Sequence, residues 1–176
     1  MTASPPVDDG GATHLAAGLQ LPDLSLASTR GGMSSPVRPG LCVIYIYPWT
    51  GRPGHPNPLN WDDIPGAHGS TPQAEGFRDH YAEFAARKFG VIGLSGQTPS
   101  EQREFSTRLG LPFELLSDAG FAFADALRLP RFATGGISYL KRLTLIVRDG
   151  ILVEAIYPVT RPAQHAGEVL AQIQPI

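Results

Sequence analysis

The sequence is poor in sulfur: 176 residues contain one cysteine, Cys42, and two methionines. A single cysteine excludes an internal disulfide framework and any CxxC metal knuckle. The five histidines (His14, His55, His68, His80 and His165) show no HExxH-type spacing, so no metal site and no cofactor are expected. Neither sign of charge dominates, with 14 basic against 16 acidic residues and a formal charge of -2, which argues against nucleic acid or an anionic membrane as partner. No apolar run approaches the roughly 20 residues that span a bilayer. The opening "MTASPPVDDGGATH" lacks the basic-then-apolar layout of a signal peptide, and with the single cysteine this reads as a cytoplasmic protein.

What is present is the patterning of one globular domain, with 42% hydrophobic residues to build its core. Residues 1–13, rich in Pro, Gly, Ala and Asp, read as a flexible tail, and 14–176 as the domain. "LPDLSLAST" (21–29) contains a short strand, and "LCVIYIY" (41–47) has the unbroken β-branched and aromatic character of a strand buried on both faces. A long loop follows, "PWTGRPGHPNPLNWDDIPGAHG", with five prolines and two tryptophans. Loops of that length are usually functional or disordered.

A helix starting near Thr71 or Pro72 would place Phe77, Tyr81, Phe84, Ala85 and Phe89 on one face and end at Gly90. "VIGLS" (91–95) is the next strand. "TPSE" (98–101) opens a helix with a capping box and proline at its first position, ending at Gly110. "FELLSD" (113–118) is extended and "AGFAFADALRL" (119–129) helical. "RLTLIV" (142–147) and "ILVEAIY" (151–157) form a hairpin around "RDG", and 161–173 is a closing helix. Strands alternating with helices, then a hairpin and a last helix, predict an α/β, thioredoxin-like fold: a mixed central sheet with helices on both faces.

Four separated blocks resemble one known family: "YP" (47–48), "GSTPQAEGFRDHYAEF" (69–84), "GLSGQTPSEQREFSTRLGLPFELLSD" (93–118) and "KRLTLIVRDG" (141–150). In order and content they are similar to the peroxiredoxins, most of all the Q-type or bacterioferritin-comigratory branch, over roughly residues 18–173. The resemblance implies thiol-dependent reduction of hydrogen peroxide or organic hydroperoxides, with a thioredoxin- or glutathione-type thiol as reductant. It puts the peroxidatic cysteine on Ser70, the resolving cysteine on Glu75, the active-site arginine on Arg142 and the active-site proline on Pro48. Gly69 and Thr71 flank the nucleophile position and complete the substrate pocket with Pro48.

The pattern departs from the family at four places. Both thiols are missing, and the family's threonine, three residues before the nucleophile, is here Ala67. Ser70 also follows Pro48 by 22 positions instead of seven, so the loop carries an insertion of about fifteen residues. Thr50, on the far side of that insertion, is the candidate to supply the missing hydroxyl.

Read locally, Ser70 is a helix cap, with Gln73 completing a Ser-x-x-Gln capping box worth about 0.5–2 kcal/mol relative to alanine. Read through the resemblance, it replaces a nucleophile; the two readings are compatible. A hydroxyl has no accessible oxyanion state and cannot cycle through a sulfenic acid, so a chain with Ser70 is expected to lack thiol peroxidase activity. Cys42, inside an apolar run, reads as a buried inert thiol. Glu75 reads as a solvated first-turn carboxylate, and His68 and His80 as surface residues. Trp49, Trp61 and Phe121 are candidates either for the peroxide entrance or for packing.

Three functions remain open at this level. The chain is a one-Cys-type peroxiredoxin whose cysteine has been exchanged for serine, or a naturally thiol-free relative that binds a ligand or partner in the same pocket. Serine hydrolysis is the third, but there is no GxSxG elbow ("GLSG" has the wrong spacing) and no Asp/His pair placed near Ser70.

Overall fold

A computed structural model describes residues 3–173; the first two residues of the expected tail and the last three of the domain lie outside the described part. The core is a seven-stranded sheet in the order β2-β1-β5-β4-β3-β8-β9. Its strands are β1 (Leu26–Ser28), β2 (Met33–Ser34), β3 (Leu41–Ile46), β4 (Phe89–Ser95), β5 (Leu115–Ser117), β8 (Leu143–Arg148) and β9 (Ile151–Ile156). β3, β4 and β5 run parallel, and β8 joins β3 antiparallel. The helices are α1 (Ser70–Asp79), α2 (Tyr81–Ala86), α3 (Pro99–Leu109), α4 (Ala122–Leu127) and α5 (His165–Gln172).

The continuous apolar run of β3 is explained by burial on both faces, because successive side chains of a strand point to opposite sides. Cys42, Ile44 and Ile46 enter one core with Leu116, Phe123 and Leu145. Val43, Tyr45 and Tyr47 enter the other with Phe77, Phe84, Phe105 and Val169. The second core therefore takes its side chains from α1, α2, α3 and α5, while α4 covers the first. This is the mixed α/β sheet, with helices on both faces, that the sequence predicts.

Three local readings need correction. The helix expected to run from position 71 to Gly90 is broken at His80 into α1 and α2, and α2 stops at Ala86. Gly90 does not end it; Phe89 and Gly90 already belong to β4, and Gly90 pairs with Cys42. The aromatic spacing misleads because Phe77, Phe84 and Phe89 reach the same core from three elements, while Ala85 is exposed. By contrast, α3 begins with the expected Thr98–Glu101 capping box and closes at Gly110 in the left-handed region, φ 62°.

The second correction is a missed hairpin, β6 (Arg131–Thr134) and β7 (Ile137–Leu140), turning through Gly135 and Gly136 at φ 57° and 77°. Two consecutive positive-φ residues are what a tight two-residue hairpin needs, so "TGGI" carried the signal. The third concerns the N-terminal segment: most of residues 3–10 are exposed, and the segment touches the body at Pro6 and Asp9. Asp9 accepts from the Lys141 ammonium at 2.6 Å and the Tyr157 hydroxyl at 2.7 Å, and Pro6 lies against Gly66.

Candidate active site

Ser70 is the first residue of α1, and Gly69 is its N-cap. Gly69 sits at φ 112°, and a Cβ there would come within 2.6 Å of the Pro162 ring. Glycine is thus required twice, by backbone conformation and by close approach. Gly69 has no side chain to cap with, and the expected Ser70–Gln73 capping box does not form. Gln73 is turned to a different task.

That task is Arg142, which leaves the start of β8 and is only 4% exposed. Its Nη1 donates to the Gln73 Oε1 at 2.5 Å. Its Nη2 donates to the Ser70 Oγ at 3.1 Å and faces the carbonyls of His68, Ala67 and Gly66 at 3.2, 3.3 and 3.4 Å. Among the described residues every acceptor around this guanidinium is a neutral oxygen, and its Nε–H has none. Burial pulls its pKa down to about 9, which still leaves it a cation at neutral pH.

The position of Ser70 thus combines a helix N-terminus, with its partial positive charge and unsatisfied N–H groups, and a buried cation without an anion. A hydroxyl offers this cradle one neutral acceptor. A thiolate in its place would supply the missing charge, and opposite charge lowers a thiol's pKa.

Above Ser70 lies a cavity of about 190 Å³, lined by Ala67, Gly69, Thr71, Trp49 and Trp61 among others. Trp61 is a hub: it meets Trp49 edge-on at 5.5 Å, Tyr139 at 5.0 Å and Phe132 at 5.7 Å. The inserted loop is therefore pinned to the β6–β7 hairpin and walls the cavity.

Of the residues named from the sequence, Ser70, Gly69, Thr71 and Arg142 come together. Pro48 and Thr50 line the neighbouring cavities. The Thr50 hydroxyl is buried and accepts from the Gln97 amide at 2.9 Å, facing a neighbouring cavity that includes Glu101. Pro48 lines another cavity beside Gln97 and Tyr139. Trp49 belongs to all three walls.

Glu75 is half-buried on the second turn of α1. His68 pairs with Asp62 and His80 with Glu83, each at 2.6 Å on the surface. Phe121 lies away from Ser70, packed at Gly96 and under the Arg131 guanidinium. Cys42 belongs to the core on the other face of the sheet, and burial pushes its thiol up to about 12. It is excluded as the nucleophile of this pocket.

Sequence reasoning missed Gln73 as the partner of Arg142, and the three carbonyls. Neither has a sequence signature, since the carbonyls belong to the backbone and Gln73 imitates a cap.

Comparison with known proteins gives the family. Residues 65–155 match the model of the AhpC/TSA family. Chloroplastic Peroxiredoxin Q of Oryza sativa subsp. japonica is 32% identical over 133 residues, and that of Populus jackii equally so; in both cases the match covers 75% of this chain and 54% of the relative. The chain thus spans about half the length of the curated relatives it matches.

Among solved structures, Peroxidoxin BcpB of Mycobacterium tuberculosis superposes with a TM-score of 0.71 at 24% identity, covering 89% of this chain and 94% of that one. The bacterioferritin comigratory protein of Xanthomonas campestris, described for its alkyl peroxide reduction activity, reaches 0.69 at 26% identity over 89% and 96% of the two chains. A cysteine-to-serine mutant of Peroxiredoxin Q from the same organism gives 0.69 at 25%, over 89% and 95%. Sequence and fold agree, and the chain belongs to the AhpC/TSA family, in its Q-type or bacterioferritin-comigratory peroxiredoxin branch.

Proposed function

We propose that this fold is a one-Cys-type peroxiredoxin scaffold, and that with serine at position 70 it lacks thiol peroxidase activity. With a cysteine there, it would reduce hydrogen peroxide or an organic hydroperoxide at the expense of an external thioredoxin- or glutathione-type thiol. The observation that carries this reading is the buried Arg142, which directs Nη2 at the Ser70 Oγ and has only neutral oxygens around it.

The chemistry follows from that cradle. A thiolate at position 70 attacks one peroxide oxygen, the O–O bond breaks, and the departing oxygen leaves as water or an alcohol after taking a proton. The sulfur is oxidised to a sulfenic acid. One external thiol displaces water from it and a second releases the resulting mixed disulfide. With Glu75 on the second turn of α1 and Cys42 across the sheet, both reducing equivalents come from outside.

The test is Ser70→Cys, assayed for peroxide consumption with dithiothreitol, thioredoxin and glutathione in turn. Turnover with at least one reductant is the expected result, against none for the unaltered chain. No consumption with any of the three sinks the reading.

A second reading is favoured by the Ser70 hydroxyl itself, which already serves as a satisfied acceptor for Arg142. On this reading the chain is a redox-silent relative that holds a ligand in the same pocket. A native serine codon at position 70 in the source genome supports it, and a cysteine codon removes it. We also place the protein in the cytoplasm, which cell fractionation tests.

A further inference from the structure

The pocket over Ser70 is larger than hydrogen peroxide needs. Its volume is about 190 Å³. A cavity of roughly 150 Å³ takes up a benzene ring, and one water occupies about 30 Å³ of liquid. Hydrogen peroxide, little bigger than water, would leave most of this space unfilled.

The walls indicate what fills it. Trp49 and Trp61 are the only tryptophans in the chain, and both line this pocket, meeting edge to face at 5.5 Å. Trp61 is 3% exposed and clamped by Tyr139 and Phe132, so its ring is a fixed surface. Trp49 is only half-buried and keeps ring surface uncovered. Ala67 and Pro72 add further apolar carbon, and the hydroxyls of Ser70 and Thr71 stand together at the reacting position. Asn57 and His68 complete the polar lining, with His68 already engaged by Asp62. Aromatic rings attract a further ring in offset or edge-to-face contact. Both tryptophans lie between Pro48 and Ser70, in the stretch that the insertion lengthens, so this wall is a feature of this chain and not of the pattern it resembles.

On the peroxidase reading, from which this inference takes its reaction, we propose that the pocket selects hydroperoxides carrying a ring-sized apolar group over hydrogen peroxide, and that Trp49 and Trp61 determine the choice. In the Ser70→Cys protein the thiolate attacks the terminal peroxide oxygen and the O–O bond breaks. The alkoxide takes a proton and leaves as an alcohol. Dithiothreitol returns the sulfenic acid to the thiol with loss of water and is itself oxidised to its cyclic disulfide. Packing of the organic group on the tryptophans holds the O–O bond at the sulfur. Hydrogen peroxide is the same substrate with that group cut away, and truncating a non-reacting part lowers kcat as well as affinity.

Two measurements test this. In the Ser70→Cys protein, kcat/KM is measured with dithiothreitol for hydrogen peroxide, tert-butyl hydroperoxide and cumene hydroperoxide. Cumene hydroperoxide is expected to rank first and hydrogen peroxide last, about tenfold or more apart, since a pocket tells even one methylene apart by about 10–200-fold. Trp49→Ala, which leaves the Trp61 clamp in place, should cut the ratio of cumene hydroperoxide to hydrogen peroxide about fivefold, the scale of one aromatic contact. The second measurement uses the unaltered chain and no peroxide. The alcohol product, 2-phenyl-2-propanol, is titrated while tryptophan emission is followed, both reporters standing at the pocket. A saturable change is expected, with tert-butanol binding about tenfold more weakly. Hydrogen peroxide used as well as cumene hydroperoxide, a ratio unmoved by Trp49→Ala, or no saturable change with the alcohol overturns the inference. A Ser70→Cys protein inert toward every peroxide overturns the peroxidase reading instead, and the titration of the unaltered chain then decides whether the pocket takes a ring.

Discussion

Gly69 has no Cβ, and two independent constraints forbid one. The backbone stands at φ 112°, and Pro162 occupies the space at 2.6 Å. Gly69→Ala is therefore expected to destabilise the fold by about 1–3 kcal/mol, the scale of a non-glycine residue forced into a sparsely populated region. Urea unfolding checks this; an unchanged midpoint would mean that α1 shifts freely. Arg142 makes a separate prediction. In the Ser70→Cys protein, adding Arg142→Gln should return the thiol from a depressed pKa toward its ordinary value of about 8.5, read from thiolate absorbance against pH.

His165 is buried and donates to, or accepts from, the Thr144 hydroxyl at 2.8 Å. Burial, and then the nearby Arg142, pull its pKa from 6.5 down to about 4. Below 6.5 the unfolded chain takes up a proton that the folded chain refuses, so stability falls as pH drops from about 6.5 toward 4 and is flat above. The imidazole resonances of His165 should show no titration above pH 5.5 in the folded protein; a midpoint near 6.5 would contradict the burial.

At the scale of elements, the insertion between Pro48 and Ser70 separates what the sequence shows from what it hides. β3, β4, β8 and β9 and the capping of α3 are legible because their signals are local: continuous or alternating apolar runs, and a Thr-Pro-x-Glu start. Arg142 is legible through its motif. Thr50 is not, because the path of a fifteen-residue insertion is set by where Trp61 anchors, and that anchor lies on the β6–β7 hairpin far along the chain. The split of the long helix at His80 is hidden for another reason: both halves and β4 feed aromatics to one core, so the spacing continues across the break.

Trp61 is the pin of that loop. Trp61→Ala is expected to cost about 3–5 kcal/mol if the cluster answers as a core does. Limited proteolysis should then cut within 49–68 before the rest of the molecule. Deleting 51–62 in the Ser70→Cys protein removes Trp61 and Asn57 from the cavity wall and should change the peroxide kinetics; unchanged constants would show that the loop is a bystander.

For the whole molecule, the sheet separates two chemistries. One face packs against α1 and α5 and carries the Ser70 cradle; the other buries Cys42 under α4. The docked N-terminal segment adds little to this division energetically. Its Asp9–Lys141 contact is exposed, and such pairs are worth about 0–1 kcal/mol. Removing residues 1–9 should therefore move the unfolding midpoint only slightly, a result that differential scanning calorimetry distinguishes from loss of the domain.

Cys42 stands in the middle of β3, between Gly90 of β4 and Val147 of β8. Its thiol points into the core under α4, so a reagent can reach it only when that core opens. Its rate of alkylation is thus a built-in clock for opening of that core, readable by mass spectrometry without any label engineered into the chain. In the Ser70→Cys protein the same clock runs beside a fast thiol, so two modification times from one sample would separate events at the pocket from rupture of the core.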